Sequence, residues 1–362
     1  HTIIVNGDGV VFNMVQQNLS HKSVKVPRFF LAGAAPGATA LKIFSLPFII
    51  IVSCTQKGRP WGLPRTAATG GGHMEYEGQI CRGPMERASY MLPISVGCSY
   101  NRCRFCMLFK HLSYRELPLE QIEEELRRVS GLGGNPKQVF LGDGNAFSAE
   151  TDRLLAIFAL IRRYFPGCQG VNMDATVRDI LRKPPRELTA LSEAGVKTLY
   201  LGIECGLDDV LAQMNKGQTM AQAGEAIERL HQAGMSYGAH IMTGIAGKGR
   251  GLENAQALAD FFNRTRPDRI VNFSLFLHRR APLYQDILSG QFLPADELEN
   301  LREEQRLLAL LETDGLVYDG FHDCITFRVR GNLPQDREKM LRKLEAAIGE
   351  YEAKEPVFAF VP

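Results

Sequence analysis

The chain lacks several features that would place it in a specialised class of protein. Its formal net charge is only +2, which argues against a polybasic surface for nucleic acids. Its most apolar stretch, Ile43–Cys54, is too short to span a bilayer and contains Pro47. The sequence has no internal repeat and no low-complexity tract. With 45% hydrophobic and 23% charged residues, the 362-residue chain has the composition of a soluble globular protein with a sizeable core.

Acidic residues are scarce at the N-terminus, where Asp8 is the only one before Glu75. This segment has no sustained helical or strand periodicity, and residues 70–74 (GGGHM) resemble an expression scar. We therefore expect Met74 to be the natural start. Residues 1–73 are predicted to be a non-native or disordered extension, from upstream translation or a vector, that takes no part in the chemistry. The rest divides into a core, residues 74–290, and a C-terminal appendage, residues 291–362.

The eight cysteines do not indicate a disulfide framework, because three are clustered and the others are scattered. The clustered residues, Cys98, Cys103 and Cys106, have the spacing C-x4-C-x2-C on a loop entered through Gly97. Thiolates this close in sequence can converge on one iron–sulfur cluster or one zinc ion. A four-iron cluster held by three cysteines leaves one iron with open positions, which can bind and activate a ligand.

Other interpretations of the three thiols stay open. Plant-type ferredoxins share this spacing but add a fourth cysteine, and the next cysteine here is Cys168, beyond a predicted helix. A structural zinc ion would also need a fourth ligand, for which His111 is the nearest candidate. The spacing favours a redox-active cluster over both alternatives, and the cysteine usage indicates a reducing, cytoplasmic location.

Strand and helix patterns alternate after Met74. Strand patterns occupy residues 91–96, 138–142, 170–174, 197–203, 237–243 and 269–276, and helical patterns lie between them. Serial strand–helix units imply parallel strands with right-handed crossovers. The sequence therefore predicts an α/β fold, a partial (β/α)6 TIM-like barrel, with a doubly wound sheet as the alternative. Helical patterns at about 294–313 and 335–353 predict a C-terminal helical appendage that covers the open barrel.

Polar residues follow the second, third and fourth predicted strands, where a barrel places its site. The candidates are Gly142, Asp143, Gly144, Asp174, Thr176, Arg178 and Glu204. Asp143 could bind an ammonium group, Arg178 could clamp a carboxylate, and Glu204 could bind ribose hydroxyls. Each also has an ordinary structural interpretation as a turn, a surface ion pair or a helix cap. Three successive strand ends with such groups favour a ligand site.

These features together resemble the radical S-adenosylmethionine (SAM) superfamily. The stretch 202–206 (GIECG), followed by 215–217 (NKG), is similar to a pattern in the branch of coproporphyrinogen dehydrogenase, Elp3 and the methylthiotransferases. The pattern G-C-S-x-N-x-C-x-F-C with a later L-x-D-G more closely resembles an uncharacterised radical SAM group. The resemblance covers about residues 93–284. The usual spacing in the superfamily is C-x3-C-x2-C, so the loop here has one extra residue.

The resemblance implies two cofactors, a [4Fe–4S] cluster on Cys98, Cys103 and Cys106, and SAM. The implied SAM contacts are Phe105 near the adenine, Gly142–Gly144 at the methionine amino group, Arg178 at its carboxylate and Glu204 at the ribose, with Asp174 and Thr176 as further cofactor-binding candidates. No second cysteine-rich motif occurs, so no auxiliary cluster is expected.

The implied activity is reductive cleavage of SAM to a 5′-deoxyadenosyl radical, which abstracts hydrogen from a substrate. It requires a low-potential electron donor such as flavodoxin or ferredoxin, and it implies sensitivity to oxygen. Charge and aromatic content favour a small-molecule substrate over nucleic acid, and no membrane partner is expected. Two other classes stay open: an iron–sulfur electron-transfer or scaffold protein, and a zinc-binding barrel hydrolase. The sequence identifies no catalytic residue.

Overall fold

The structure, a computed structural model, describes residues 2–5, 11–14, 52–53 and 79–361. Near the N-terminus, β1 (Thr2–Val5) pairs with β2 (Val11–Met14), and β3 (Val52–Ser53) pairs with β4 (Gln79–Ile80). The prediction that residues 1–73 are a non-native extension falls almost wholly outside the described residues, and it stays a prediction.

One eight-stranded sheet organises the remaining chain. Its strands are β5 (Tyr90–Pro93), β8 (Gln138–Gly142), β9 (Gly170–Ala175), β10 (Val196–Glu204), β11 (Ser236–Thr243), β12 (Arg269–Ser274), β14 (Leu316–His322) and β15 (Phe327–Leu333). Short pairs outside the sheet are β6 (Ser95–Val96) with β7 (Arg115–Glu116), and β13 (Leu277–His278) with β16 (Phe360–Val361). The spatial order is β15-β14-β12-β11-β10-β9-β8-β5, and every pair is parallel except β14–β15. The predicted α/β fold with a partial TIM-like barrel is confirmed.

Most helices of the described chain pack against one face of this sheet. The helices are α1 (Leu119–Gly131), α2 (Thr151–Tyr164), α3 (Val177–Arg182), α4 (Pro185–Glu193), α5 (Asp208–Gln213), α6 (Met220–Gln232), α7 (Gly251–Thr265), α8 (Pro282–Leu288), α9 (Glu297–Leu310) and α10 (Arg337–Glu352). Of these, α5 and α8 pack with the loop of the clustered cysteines instead. Side chains alternate across a strand, so Leu199, Leu201 and Ile203 of β10 join the buried core with the helices. Tyr200 lies on the opposite face, which we call the inner face. No helix of the described chain is long and apolar enough to cross a membrane.

The C-terminal appendage contains strands as well as helices. Residues 316–334, which have no clear strand pattern in the sequence, form the hairpin β14–β15 and extend the sheet beyond β12. The pattern is obscured because charged side chains in these strands have partners: Asp319 binds Arg328 across the hairpin, at 2.5 and 2.7 Å. The expectation that the appendage covers the barrel stays a prediction.

The chain reaches β5 along the inner face of the sheet, through a segment that we call the inner strap, Cys81–Glu86. The buried carboxylate of Glu86 accepts three hydrogen bonds from strand residues: Asn172 at 2.9 Å, Tyr200 at 2.6 Å and Arg269 at 2.9 Å. At the other end of the strap, the Cys81 amide donates to Asp143 Oδ1 at 3.3 Å. The inner strap therefore crosses from the carboxyl end of β8 to the first residue of β12.

Candidate cluster and ligand site

The three clustered cysteines lie on the loop between β6 and β7, and all three are partly buried. The pKa of the Cys106 thiol is raised to about 11, mainly by burial; a backbone hydrogen bond from Leu108 opposes the shift, and the Cys103 and Cys98 thiols add to it. Burial also raises the pKa of Cys103, and Cys98 contributes to that shift. The three sulfurs thus share one electrostatic neighbourhood, which a single bound cluster would require.

The cysteine loop is held in place from two sides. On one side, the Arg104 amide donates to the Met214 carbonyl at 3.0 Å, and the Tyr100 hydroxyl donates to the Asn215 carbonyl at 2.6 Å. On the other side, the Arg104 guanidinium binds the Asp286 carboxylate of α8 with two nitrogens, at 2.6 to 3.0 Å. A bidentate pair of this kind fixes geometry as well as charge. The loop conformation therefore depends on the turn after α5 and on α8.

The turn Gly142–Gly144 packs directly against the cysteine loop. A Cβ atom on Gly144 would lie 2.5 Å from the Phe109 ring and 2.9 Å from Cys98 Cβ, so only glycine permits this approach. Asp143 is 3% exposed, and burial raises its pKa to about 7, although backbone amides such as that of Cys81 oppose the shift. The structure thus brings the predicted Asp143 beside the thiols.

Glu204 is directed towards the inner face by a bulge at the end of β10. Gly202 pairs with His240 and Glu204 pairs with Ile241, so Ile203 is an extra residue in the strand. Glu204 has a φ of 62°, in the left-handed region that non-glycine residues rarely adopt. Bulges of this kind commonly re-aim a side chain next to a functional site.

Glu204 forms a buried ion pair with Lys216, a residue that the sequence analysis did not select. The Lys216 Nζ donates to Glu204 Oε1 at 2.8 Å, and Glu204 Oε2 is buried with no hydrogen-bond partner among the described residues. A Cβ atom on Gly202 would overlap Glu204 Oε1 and lie 2.5 Å from Lys216 Nζ. Gly202 therefore provides the space that this pair occupies.

Lys216 also places a positive charge beside the cluster cysteines. Burial lowers its pKa, but the Glu204 carboxylate and the Cys103 thiol raise it by more, so the net shift is upward. Lys216 in turn lowers the pKa of Cys103 and Cys106, against the larger effect of burial. The ammonium group is thus charged at neutral pH and close to the thiols. Its position depends on the turn after α5, which contains the stretch 215–217 (NKG) that the sequence analysis quoted for the resemblance without assigning a role to Lys216.

The candidates at the end of β9 and directly after it lie in different environments. Burial raises the pKa of Asp174 to about 7, and the neighbouring carboxylates of Asp143 and Glu86 contribute. Thr176 caps α3 by accepting from the Asp179 amide at 3.2 Å, so this side chain has the ordinary structural role of a helix cap. Arg178 is exposed, with no hydrogen bond or ion pair within the described residues. The structure therefore places Asp174 with the inner carboxylates and Arg178 at the surface.

His240 of β11 is a second inner-face residue that the sequence analysis missed. Burial lowers its pKa to about 4, so the imidazole is neutral at physiological pH. Its ring lies 5.5 Å from the Tyr200 ring, and Nε2 has no hydrogen-bond partner among the described residues. A Cβ atom on Gly83 would lie 3.6 Å from Nε2, so the inner strap passes next to this ring.

Phe105, the aromatic residue before the last cysteine, is 7% exposed. It belongs to a small apolar cluster with Val210, Leu211 and Met214 beneath the loop. This packing anchors the loop against α5. Contact of Phe105 with an adenine ring stays a prediction.

The donor set fits the two implied cofactors. The three thiols lie close enough to affect one another's pKa, and a four-iron cluster would bind each thiolate through a different iron. Within the described chain, no three His, Cys, Asp or Glu side chains converge on a single metal ion, and a cluster whose thiolates bind different irons does not require such convergence. Glu204 Oε2 is buried and has no partner in the part of the chain that the structure describes, so it needs a hydrogen-bond donor, and a ribose hydroxyl would supply one.

Comparison with known proteins finds a family match within the core of the chain. Residues 92–261 match the family model described as the radical SAM superfamily. Among curated proteins, the chain is 24% identical over 230 residues to tRNA-2-methylthio-N(6)-dimethylallyladenosine synthase of Chlorobium luteolum, covering 60% of this chain and 49% of the relative. It is 26% identical over 157 residues to Elongator complex protein 3 of Mus musculus, covering 43% of this chain and 28% of the relative. The chain thus spans about half the length of the first relative and less of the second.

Two of the solved structures that this chain resembles are the following. Coproporphyrinogen III oxidase from Escherichia coli, described as a radical SAM enzyme, is 17% identical with a TM-score of 0.49, covering 61% of this chain and 52% of that one. Methylornithine synthase is 16% identical with a TM-score of 0.45, covering 73% of this chain and 85% of that one.

Proposed function

We propose, because residues 92–261 belong to the radical SAM superfamily, that this chain is an enzyme that cleaves SAM reductively and abstracts hydrogen from a substrate. The family uses a [4Fe–4S] cluster and SAM, and its members need a reductant. The observation that carries the proposal is that the cysteine loop, Asp143 and the Lys216–Glu204 pair lie together at the carboxyl ends of the strands. Parallel barrels build their sites at this edge.

The residues have distinct roles in this proposal. Cys98, Cys103 and Cys106 would hold the cluster, and Glu204 Oε2 would accept from a ribose hydroxyl. Asp143 would accept from the methionine amino group, and the carboxylate of SAM would bind a cation, either Arg178 or Lys216. When bound, the cluster and SAM supply the electron transfer and the carbon-centred radical. The protein orients these groups and excludes water through the buried inner face.

Several finer points belong to the same proposal. The electron donor is a low-potential protein such as flavodoxin or ferredoxin, and the substrate is a small molecule. The catalytic residues on the substrate side are unassigned. The protein acts in the cytoplasm, and oxygen inactivates the cluster-loaded form.

The direct test is anaerobic reconstitution with iron and sulfide, followed by reduction with dithionite and measurement of 5′-deoxyadenosine and methionine. Equal amounts of both products are expected. An intact cluster that gives neither product would contradict the proposal and favour an electron-transfer or scaffold protein. Zinc without iron or sulfide in anaerobically purified protein would favour a hydrolase instead.

Replacing Gly202 by alanine should weaken SAM binding while leaving the cluster in place. The added methyl group would overlap Glu204 Oε1 and crowd Lys216 Nζ, so the ion pair must move and Glu204 must turn. We expect the KM for SAM to rise about tenfold, which corresponds to about 1.4 kcal/mol. Steady-state rates with iron content measured in parallel check this. Gly349→Ala on α10 is the matched control, because its methyl group would meet nothing within 4 Å. An unchanged KM for SAM in the Gly202 variant would show that Glu204 does not contact SAM.

A buried hydrogen-bond network supports the turn that carries Glu204. Asn254 of α7 accepts from the Gly206 amide at 2.7 Å and donates to Glu303 Oε1 at 2.6 Å. Glu303 of α9 accepts from the Gly244 amide with its other oxygen at 2.8 Å. Asn254 and Glu303 are 0% and 2% exposed. The turns after β10 and β11 are therefore tied together through one amide and one carboxylate.

Replacing Asn254 alone should weaken SAM binding, and exchanging the amide and the carboxylate between Asn254 and Glu303 should restore it. Asn254→Asp removes the donor to Glu303 and places two carboxylates together, so the KM for SAM should rise about tenfold. In the double variant N254D/E303Q, the glutamine amide donates to the carboxylate introduced on α7 while its oxygen still accepts from Gly244, so the KM should return to within about twofold of wild type. A thermal denaturation series and the kcat values separate positioning from instability. A KM that follows only the loss of stability, with no recovery in the double variant, would contradict a positioning role.

A further inference from the structure

The inner face of the sheet is partly open to solvent at the carboxyl ends of its middle strands. Side chains alternate across a strand, so the residues between those that pack against the helices point to the inner face. We call six of these residues the inner groove, and all six are only partly buried: Asp174, Gly202, His240, Met242, Phe273 and Phe321. Their sequence neighbours within the strands are buried. A small molecule can therefore reach the inner face along this groove.

One half of the inner groove is aromatic. Phe273 of β12 and Phe321 of β14 are in register, and their rings stack with centroids 5.3 Å apart and planes 16° apart. The Arg328 guanidinium lies 4.3 Å from the centre of the Phe321 ring and covers that side of the stack. On the other side, the His240 ring of β11 stands at 75° to Phe273, 6.4 Å away, and does not continue the stack. The face of Phe273 directed towards β11 can therefore take a planar group.

His240, in the middle of the groove, has hydrogen-bonding capacity that the protein does not use. Its imidazole makes no hydrogen bond within the described residues, and Nε2 is buried. A neutral imidazole has one donor and one acceptor nitrogen, and polar atoms at buried sites almost always have a partner. The unused imidazole therefore indicates a bound molecule with a polar atom near the middle of the groove.

The other half of the inner groove is acidic. Asp174 makes no hydrogen bond or ion pair in the part of the chain that the structure describes. After burial, the carboxylates of Asp143, Glu86 and Glu204 raise the pKa of Asp174, and the Lys216 ammonium opposes them. Lys216 is already paired with Glu204, so it does not neutralise Asp174 as well. The negative charge at this end of the groove therefore favours a cationic ligand.

We propose that the inner groove binds a substrate that carries an ammonium group on a planar, apolar body. The ammonium group binds Asp174, the planar body stacks on Phe273, and His240 binds a polar atom between the two. Strands β9 and β12 are three strand spacings apart, about 14 Å, so the substrate is a small molecule no longer than that. This inference rests on the proposed function, because it names the substrate class of the same site.

SAM is a second source of an ammonium group for Asp174, and two observations favour the substrate. Asp143, the proposed partner of the SAM amino group, belongs to the turn that packs against Cys98, whereas Asp174 lies on the next strand. Asp174 also shares the inner groove with Phe273, and the methionine part of SAM has no planar group to stack there. The test below separates the two sources.

The test is equilibrium dialysis of three small probes against cluster-loaded, full-length protein under anaerobic conditions. Phenylbutylamine has both a planar ring and an ammonium group. Phenylvalerate has the same ring and chain with a carboxylate, and hexylamine has the ammonium group without a ring. We expect phenylbutylamine to bind at least about tenfold more tightly than either of the other two. Equal affinities for the three probes, or no binding of phenylbutylamine, would overturn the proposal.

Two variants assign this preference to the two halves of the groove. Asp174→Asn keeps the shape of the side chain but removes its charge, so it should weaken phenylbutylamine binding about tenfold and leave phenylvalerate binding no weaker. Phe273→Leu keeps an apolar side chain but removes the ring, so it should weaken phenylbutylamine binding about threefold and leave hexylamine binding unchanged. Asp314→Asn, at an exposed turn, is the control and should match wild type.

The remaining outcomes separate the substrate site from SAM binding and from the proposed function. Weaker SAM binding in Asp174→Asn, with an unchanged preference for phenylbutylamine, would assign Asp174 to SAM and overturn the proposal. Dialysis does not depend on SAM cleavage. Protein that binds phenylbutylamine as expected but forms no 5′-deoxyadenosine would therefore contradict the proposed function alone.

Discussion

Replacing Cys103 by alanine is expected to leave a folded protein that holds no intact [4Fe–4S] cluster and forms no 5′-deoxyadenosine above background. Cys103 lies between the other two cysteines in the loop, and its thiol interacts electrostatically with both. With one thiolate removed, a second iron of the cluster would lose its protein ligand, and the cluster would become labile. Iron and sulfide analysis after anaerobic reconstitution, together with the dithionite-driven assay, measures both losses.

Cys81 provides the sharpest control for this experiment. The structure places it on the inner strap beside Asp143, where Cys106 is among the groups that act on its pKa, after burial. If three thiols hold the cluster, Cys81→Ala keeps full iron and sulfide content and forms 5′-deoxyadenosine. If Cys81→Ala loses the cluster as Cys103→Ala does, a fourth thiolate occupies the open iron and the proposed function is contradicted. Cys168→Ala, at a half-buried thiol ahead of β9, should have no effect on the cluster.

The central strands could be predicted from the sequence because their physics is local. A parallel strand covered on both faces appears as an apolar run, and β8 (Gln138–Gly142) has the bounds that its run predicts. The hairpin β14–β15 could not be predicted in the same way. Asp319 and Arg328 interrupt the pattern, and the burial of Asp319 is explained only once the two strands pair and bring Arg328 to it. A charged residue can be assigned to a buried strand position from the sequence only when its partner is known.

The site was predictable where it depends on position along a strand. Asp143 and Glu204 follow apolar runs, and the structure places both at the carboxyl ends of their strands. Residues that reach the site by other routes were not predictable. Lys216 belongs to the stretch 215–217 (NKG), but its contact with Glu204 depends on the turn after α5. His240 lies within a strand pattern, and Cys81 precedes the first core strand. Each reaches the inner face through tertiary packing, which periodicity does not encode.

The interior of the appendage carries more charge than its sequence suggests. Helix α9 buries Glu297 and Glu304 completely, and the two carboxylates hold His322 of β14 between them, at 2.9 Å from Nδ1 and 2.9 Å from Nε2. Burial lowers the pKa of His322, but Glu304 and Glu297 raise it by more, to about 10. The imidazolium is therefore charged at neutral pH and joins α9 to the extended sheet.

Replacing His322 by glutamine is expected to destabilise the protein by about 3 to 5 kcal/mol at pH 7, because one buried carboxylate loses its partner. A typical domain has only about 5 to 15 kcal/mol of stability, so this is a large fraction. Urea denaturation at pH 7 measures the effect. His231→Gln, the same substitution at an exposed position on α6, should change stability by no more than about 0.5 kcal/mol.

The pH dependence distinguishes the charged pair from simple packing. The folded pKa of about 10 lies above the unfolded value of about 6.5, so the stabilising contribution of His322 is complete below pH 6.5 and is lost as pH rises through 10. The difference in stability between wild type and His322→Gln should therefore shrink by about 1.4 kcal/mol per pH unit between pH 7 and 10. Glu303 and Asp323 also face this charge, which lowers the pKa of both carboxyls. Losing the charge in the variant therefore raises both pKa values and adds a smaller pH dependence to the difference. A difference that stays constant from pH 7 to 10 would show that His322 acts by filling space and that α9 is not held to the sheet by charge.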